Sequence, residues 1–334
     1  MNKKMPVISV LVPTKNRGES IRETFNSLAS QTYKDFEVVV VDGGSTDNTK
    51  ETILSYSKYF PVTFYVKKGG LIPQMNVAWK KAKGKYIVRT DDDAVFDKNW
   101  LKEIVLVFES DKTIGGVTGP SIIPKENLGA RDLLHYQENL KKGNFLWRLL
   151  GKVYYDYIME GEPLRVSHFF KSGAFAIGAN YKSCLKYKKA FSVDDLQACN
   201  WAAKKDLLKK IGGFDTIYLG IGEYHEPDAA QKIMKLGFKL YFNPRAIVYH
   251  KPSKEGFFKE RPEAYGRALN FVNFYFRHIK PDTLDKTLRF SIYLTFLNLF
   301  WIYKFLTTRQ LNQLGSIKGT FDGLAINLGL KRMT

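Results

Sequence analysis

The sequence predicts an α/β fold: a Rossmann-like, mostly parallel sheet flanked by helices, with a C-terminal helical extension. Three observations predict it. Short, continuously apolar runs recur through the first hundred residues, stretches with helical spacing separate them, and a polar cluster closes each run. Strands that are apolar on both faces and joined by helices belong to a sheet covered on both sides.

The first run, Val7-Ile8-Ser9-Val10-Leu11-Val12, is β-rich and is closed by Pro13. Gly18 to Gln31 then places Ile21, Phe25 and Leu28 at helical spacing. Phe36 to Val41 reads as a second buried strand, and Thr46 to Lys58 as a helix with Ile53 and Leu54 apolar. Val62 to Val66 is a third strand, Ile72 to Ala82 a further helix, and Tyr86 to Arg89 a fourth strand. Ligands of such sheets bind beyond the carboxyl ends of the strands. The clusters Pro13–Arg17, Asp42–Asp47, Lys67–Gly70 and Thr90–Asp93 all fall at that edge.

From about 115 to 200 the periodicity weakens, and aromatics appear at Tyr154, Tyr155, Tyr157, Phe169 and Phe170. This stretch is expected to be the acceptor-facing half of the same domain. Gly212-Gly213-Phe214-Asp215 opens a block that ends near His250. Within it, Pro227 to Leu236 reads as a helix with proline in its first turn and Gly237 as its stop. The domains are expected at 1–261 and 262–334, the second being aromatic, basic and helical.

Composition bounds the partners. With 334 residues, 44% hydrophobic and 25% charged, the chain has the make-up of a globular protein. Its +19 net charge points to a polyanionic partner: nucleic acid, an anionic membrane surface or phosphorylated substrates. No zinc-finger spacing, aromatic RNA-binding box or basic helix-turn-helix accompanies the charge, so no nucleic-acid partner is expected. Cys184 and Cys199 lack metal-ligand spacing and read as small core residues, in keeping with a reducing compartment. Met1-Asn2-Lys3-Lys4-Met5-Pro6 runs into the first strand without the apolar segment of a secretory signal, and a cytoplasmic location is expected.

Asp91, Asp92 and Asp93 carry the chemistry. Adjacent carboxylates repel one another, and a hard divalent cation, Mg²⁺ or Mn²⁺, resolves the conflict. Strand alternation would put Asp91 and Asp93 on one side and Asp92 on the other, and Asp92 is expected among the cofactor-binding residues. The alternative is a solvated acidic turn capping the helix near 97–108. Asp42, at a strand end before Gly43-Gly44, is placed to accept bonds from a base edge or a ribose hydroxyl. Ser45 or Thr46 could simply cap the next helix.

These residues together resemble the family 2 inverting glycosyltransferases with the GT-A fold. The matching pieces are Val10-Leu11-Val12-Pro13-Thr14-Lys15-Asn16-Arg17, Gln31-Thr32-Tyr33, Val40-Val41-Asp42-Gly43-Gly44-Ser45-Thr46-Asp47, Thr90-Asp91-Asp92-Asp93 and Gly212-Gly213-Phe214-Asp215, over about residues 6 to 251. The resemblance implies that Pro13, Thr14 and Arg17 line the nucleotide pocket, that Asp42 meets the base, and that Asp91 and Asp93 form the metal-binding D-x-D pair. It implies that His250 completes the metal or diphosphate site. Two departures stand out. Gln74-Met75-Asn76 occupies the place of an Ala-Arg-Asn triplet, keeping Asn76 but not the arginine. His225-Glu226-Pro227-Asp228-Ala229 replaces a Glu-Asp-x-Asp-Leu run, which makes Glu226 the expected catalytic base and Asp228 its understudy.

In the tail, Phe290 to Tyr303 is a 14-residue uncharged run, short of the ~20 residues that span a bilayer. Ser291, Thr295 and Asn298 form one stripe, leaving a broad apolar face, and Lys286, Arg289, Lys304 and Arg309 flank the run. This predicts a helix lying in an anionic membrane interface on the cytoplasmic side, or else packed against a core or a partner.

The expected activity is metal-dependent, inverting transfer of a sugar from a nucleotide-diphosphate donor to an acceptor hydroxyl, the acceptor being a lipid-linked glycan or polysaccharide precursor. Alternatives are a sugar-phosphate nucleotidyltransferase, whose glycine-rich loop after the first strand is missing here, and a non-catalytic carbohydrate- or lipid-binding protein.

Overall fold

The structure is a computed structural model describing residues 5–128, 138, 141–251 and 264–332; the expected domain boundary at 261–262 lies outside the described residues. Contacts divide the chain into two compact units. One comprises Met1–Ile123, Ala179–Thr216 and His225–Lys259; the other comprises Pro124–Gly178, Ile217–Tyr224 and Glu260–Thr334. Residues 124–178 thus cluster with the C-terminal helices.

The first unit is built on an eight-stranded sheet in the order β3-β2-β1-β4-β9-β6-β10-β8. Strands β1 (Ile8–Thr14), β2 (Phe36–Asp42), β3 (Val62–Val66) and β4 (Tyr86–Arg89) are parallel. Helices α1 (Ile21–Ala29), α2 (Thr49–Leu54) and α3 (Leu71–Lys81) connect them. The apolar runs form these strands because both faces are covered: every residue of β1 and β2 is buried. Burying a valine such as Val38 or Val40 is worth roughly 1.5–3 kcal/mol. The register aligns Thr14 with Asp42, so β1 and β2 release their loops side by side.

The α/β expectation holds, with one feature that the apolar pattern did not show. Strand β9 (Trp201–Lys204) runs antiparallel between β4 and β6 (Ile114–Thr118), in a register that pairs Arg89 with Trp201. Strand β10 (Lys239–Phe242) continues the sheet parallel to β6, and β8 (Phe191–Val193) closes it antiparallel to β10. A small second sheet joins β5 (Ala94–Phe96), β11 (Val248–His250) and β7 (Ser121–Ile122). Helix α4 (Trp100–Ser110) follows β5, and Trp100 stacks on Phe96 with ring centroids 4.1 Å apart.

The second unit is helical. A helix at Phe145–Lys152 continues as a wider turn over Val153–Ile158, and helices follow at Ala264–Phe274, Leu284–Thr308 and Gly315–Asn327. The last packs closely on Ala264–Phe274, because a Cβ on Gly319 would fall 2.2 Å from the Tyr265 carbonyl oxygen. The uncharged run of the tail lies inside a continuous 25-residue helix, Leu284–Thr308, which by length and composition alone is long and apolar enough to cross a membrane. Of its polar stripe, Ser291 and Thr295 are exposed and Asn298 is half-buried. Asn298 donates to Thr320 Oγ1 (3.2 Å) and accepts from Ser316 (3.4 Å), while Leu299, Phe300, Tyr303 and Leu306 are exposed.

Candidate active site

The acidic triplet leaves β4 as a turn and re-enters the sheet structure at β5. Asp91 and Asp93 turn to His250: its Nε2 lies 3.1 Å from Asp93 Oδ1 and 3.5 Å from Asp91 Oδ2. The small sheet makes this meeting. Strand β11 pairs antiparallel with β5, setting His250 against Ala94, and the Lys251 amide donates to the Asp93 carbonyl at 3.1 Å.

Asp92 faces the other way. It accepts from the Thr14 hydroxyl at 2.7 Å and pairs with Arg17 Nε at 3.4 Å, tying the β1 loop to the β4 loop. Burial raises the Asp92 carboxyl to about 7, the neighbouring charge of Arg17 acting against it. The separation of Asp92 from its two neighbours was expected, although the backbone achieves it as a turn.

Arg89, the last residue of β4, is buried. Its Nη2 lies 2.8 Å from Asp91 Oδ1 and 3.3 Å from Glu226 Oε1, and its Nη1 donates to the Ala198 carbonyl at 2.6 Å. Burial works against its charge, but Asp91 and Glu226 outweigh that and raise its pKa. Glu226 stands in the first turn of the helix His225–Lys235, with His225 Nδ1 2.9 Å from its Oε2. Burial favours the neutral acid; the charges of His225 and Arg89 overcome it and pull Glu226 down to about 2. The helix has Pro227 in its first turn and ends before Gly237, at φ +84°.

Asp228 is a different case from Glu226. It is fully buried and paired with Lys232 Nζ at 2.6 Å, and the same ammonium holds Asp215 at 2.9 Å. This ion cluster fastens the Gly-Gly-Phe-Asp turn to the helix.

Asn76 is engaged at both ends of its carboxamide. Its Nδ2 donates to the Phe214 carbonyl at 2.7 Å, and its Oδ1 accepts from Phe214 N (3.0 Å) and Trp79 Nε1 (2.9 Å). Gly213 lies against them at φ +82°, where a Cβ would come within 2.5 Å of Trp79 Nε1. Asn76 therefore anchors this turn, a task that the motif match did not suggest.

Pro13 sits within buried β1, and Arg17 is buried in the following loop, its amide donating to Thr49 Oγ1 at 2.8 Å. Asp42 is folded onto its own loop: Oδ2 accepts from Gly44 N (3.0 Å) and Ser45 N (2.8 Å), and Oδ1 from the Ser45 hydroxyl.

Sequence reasoning missed two participants. Cys199, read as inert, is buried beside the triplet, and its sulfur, an Asp91 oxygen and a His250 nitrogen all lie within 4.8 Å of one another. Asn200 fixes this position by accepting from Trp100 Nε1 (2.9 Å) and donating to the Ala246 (2.8 Å) and Pro120 (3.1 Å) carbonyls. Arg89 was read only as the end of a strand. A basic residue ending an otherwise apolar strand, directly before three acids, was the available signal.

Two carboxylates and an imidazole in this grouping fit Mg²⁺ or Mn²⁺, with the nitrogen donor favouring Mn²⁺. The Cys199 sulfur adds a softer neighbour. Burial opposes a charged His250, but Cys199, Asp93 and Asp91 together raise its pKa well above the usual histidine value.

Comparison with known proteins agrees with the fold. The profile of the family described as "Glycosyl transferase family 2" matches residues 9–171. Glycosyltransferase GlyA of Streptococcus pneumoniae is 26% identical over 200 residues, 57% of this chain and 26% of its own length. The putative teichuronic acid biosynthesis glycosyltransferase TuaG of Bacillus subtilis is 25% identical over 138 residues, 40% of this chain and 55% of its own. The poly(ribitol-phosphate) beta-N-acetylglucosaminyltransferase TarS of Staphylococcus aureus is 38% identical over 104 residues, 30% of this chain and 18% of its own. The chain spans only 26% of GlyA and 30% of another relative, an uncharacterized glycosyltransferase of Rickettsia prowazekii. Among solved structures, the mannosyltransferase PcManGT of Pyrobaculum calidifontis, in complex with GDP-Man and Mn²⁺, superposes with TM-score 0.55 at 18% identity, covering 97% of this chain and 88% of that one. TarS residues 1–349 with UDP-GlcNAc gives 0.53 at 16%, covering 98% and 93%. These structural likenesses are of the GT-A-like fold.

Proposed function

The chain belongs to glycosyl transferase family 2, and from that premise we propose that it transfers a hexose from a nucleotide-diphosphate sugar to an acceptor hydroxyl, inverting the anomeric carbon. The observation that supports this best is the convergence at one strand edge of Asp91, Asp93 and His250 with Glu226, joined through buried Arg89.

Pro13, Thr14, Arg17 and Asp42 are proposed to line the donor pocket, with Asp92 bracing it through Thr14 and Arg17. Asp91, Asp93 and His250 would hold Mg²⁺ or Mn²⁺, which when bound neutralises charge on the departing diphosphate. Glu226 accepts the proton of the acceptor hydroxyl while that oxygen attacks the anomeric carbon from the face opposite the diphosphate. The bond to the diphosphate oxygen breaks as the new glycosidic bond forms, so a single displacement inverts the centre. Arg89 and His225 hold Glu226 ionised and oriented for that transfer.

We take the acceptor to be a lipid-linked glycan or polysaccharide precursor on the cytoplasmic face of an anionic membrane. The names of TuaG, with its teichuronic acid biosynthesis, and of TarS, with its poly(ribitol-phosphate), support a polymer acceptor. The Leu284–Thr308 helix supports the membrane: with Asn298 bonded within its own unit and Leu299, Phe300, Tyr303 and Leu306 exposed, it suits lipid as its outer neighbour. The basic balance of +19 favours an anionic surface.

The test is transfer from a panel of nucleotide sugars with Mn²⁺, comparing wild type with Glu226→Gln and Asp93→Asn. Turnover near wild type in both variants would overturn these roles.

A further inference from the structure

The helix Phe145–Lys152 lies outside the C-terminal extension, and the catalytic reading gives it no task. Its side chains are disposed unlike those of a helix that rests on a core. Phe145 is 74% exposed, Leu146 59%, Trp147 56% and Leu149 46%. Gly151 is the only buried residue of the helix. A helix that is apolar around most of its girth is normally buried or immersed, and one of eight residues is too short to persist in water on propensity alone. The sequence nevertheless starts it deliberately: the Asn144 side chain caps it, accepting from Trp147 N at 3.1 Å.

Its charge is one-sided. Between Lys141 and Lys152 stand Lys141, Lys142, Arg148 and Lys152, with no acidic residue among them. Arg148 and Lys152, one turn apart, share a stripe. Exposed Phe, Leu and Trp beside lysine and arginine is the composition of an element that buries its rings at the acyl boundary and sets its cations among anionic headgroups. At eight residues it cannot cross a bilayer.

It is also attached to the other apolar surface of its unit. The chain runs on from Lys152 into Val153–Ile158, where the Tyr154 ring packs on Tyr293 (6.4 Å) and Phe296 (6.1 Å) of the helix Leu284–Thr308.

We propose that Phe145–Lys152 is a second membrane-binding element, an interfacial wedge that inserts Phe145, Leu146, Trp147 and Leu149 into an anionic bilayer alongside the Leu284–Thr308 helix. The proposal rests on the membrane reading given above and extends it to a segment distant in sequence.

The experiment is flotation of the full chain with vesicles of phosphatidylglycerol mixed with phosphatidylcholine, and with phosphatidylcholine alone. Wild type should float with the anionic vesicles and be released by salt. Phe145→Ser combined with Leu149→Ser should weaken binding about tenfold or more, with an unchanged circular dichroism spectrum and unchanged affinity for nucleoside diphosphates. Trp147→Phe should keep binding but lose part of the fluorescence quenching produced by lipids brominated on the acyl chain. If wild type floats and the serine variant floats equally well, or if Trp147→Phe leaves quenching unaltered, the wedge is overturned while the C-terminal reading stands. If wild type fails to float, the membrane reading itself falls. Should the serine substitutions change the solution mass of the protein and not its flotation, the face belongs to a second copy of the chain and the proposal is wrong.

Discussion

Arg89 Nη2 stands 3.3 Å from Glu226 Oε1, so the guanidinium that ends β4 reaches the carboxylate that opens the helix His225–Lys235, 137 positions further along the chain. The same nitrogen lies 2.8 Å from Asp91. One buried cation therefore links the proposed base to the proposed metal-binding carboxylates.

Replacing Glu226 by glutamine should lower kcat by about 10²–10⁴ while leaving nucleoside diphosphate affinity unchanged, as measured by steady-state kinetics and calorimetry. Asp228→Asn should behave otherwise. It strips a fully buried carboxylate from Lys232 and should reduce stability by about 3 kcal/mol, seen in urea unfolding, with a smaller effect on turnover.

The pH dependence follows from the Glu226 shift. Its carboxyl falls from an ordinary 4.5 to about 2 in the folded chain. A depressed carboxylate contributes stability that is present above 4.5 and lost as pH falls towards 2. Acid unfolding should accordingly steepen in that window. Arg89→Leu removes a guanidinium that holds the Glu226 carboxyl down, so the acid limb of kcat/KM should move to higher pH. An acid limb that stays in place would separate Arg89 from the base.

Asn76→Ala should destabilise the fold by about 1–3 kcal/mol, because it leaves the Phe214 amide and carbonyl and the Trp79 indole without partners. If Asn76 acts by anchoring the turn, KM for the donor should change little in the protein that remains folded. Gly213→Ala should also destabilise by at least about 1–3 kcal/mol from its positive φ alone. Thermal unfolding together with donor titration checks both.

Asp93→Asn should abolish the Mn²⁺-dependent part of the thermal shift produced by a nucleoside diphosphate. Cys199 offers a test of selectivity. A thiol beside Asp91 and His250 suits softer ions, so Zn²⁺ should inhibit the wild type at lower concentration than it inhibits Cys199→Ser. Equal inhibition of both would exclude the sulfur from the ion's surroundings.

Much of this was legible along the chain. The runs Val7–Val12 and Phe36–Val41 could only be covered strands, because continuous apolar sequence of that length has to be buried on both faces, and their polar ends marked one edge. Pro227 and Gly237 bracketed a helix, since each constrains the local backbone whatever surrounds it. Local chemistry of this kind is written in neighbouring residues. What tertiary structure alone decided is which distant groups meet. An antiparallel β9 in a parallel neighbourhood brings Cys199 and Trp201 to the end of β4, and the pairing of β11 with β5 carries His250 to Asp93. Arg89 becomes a bridge and Asn76 an anchor only when the strand edge, α3 and the Gly-Gly-Phe turn are assembled. Hydrogen bonds and ion pairs act over about 3 Å, and no periodicity in the chain records which segments folding will bring within that reach.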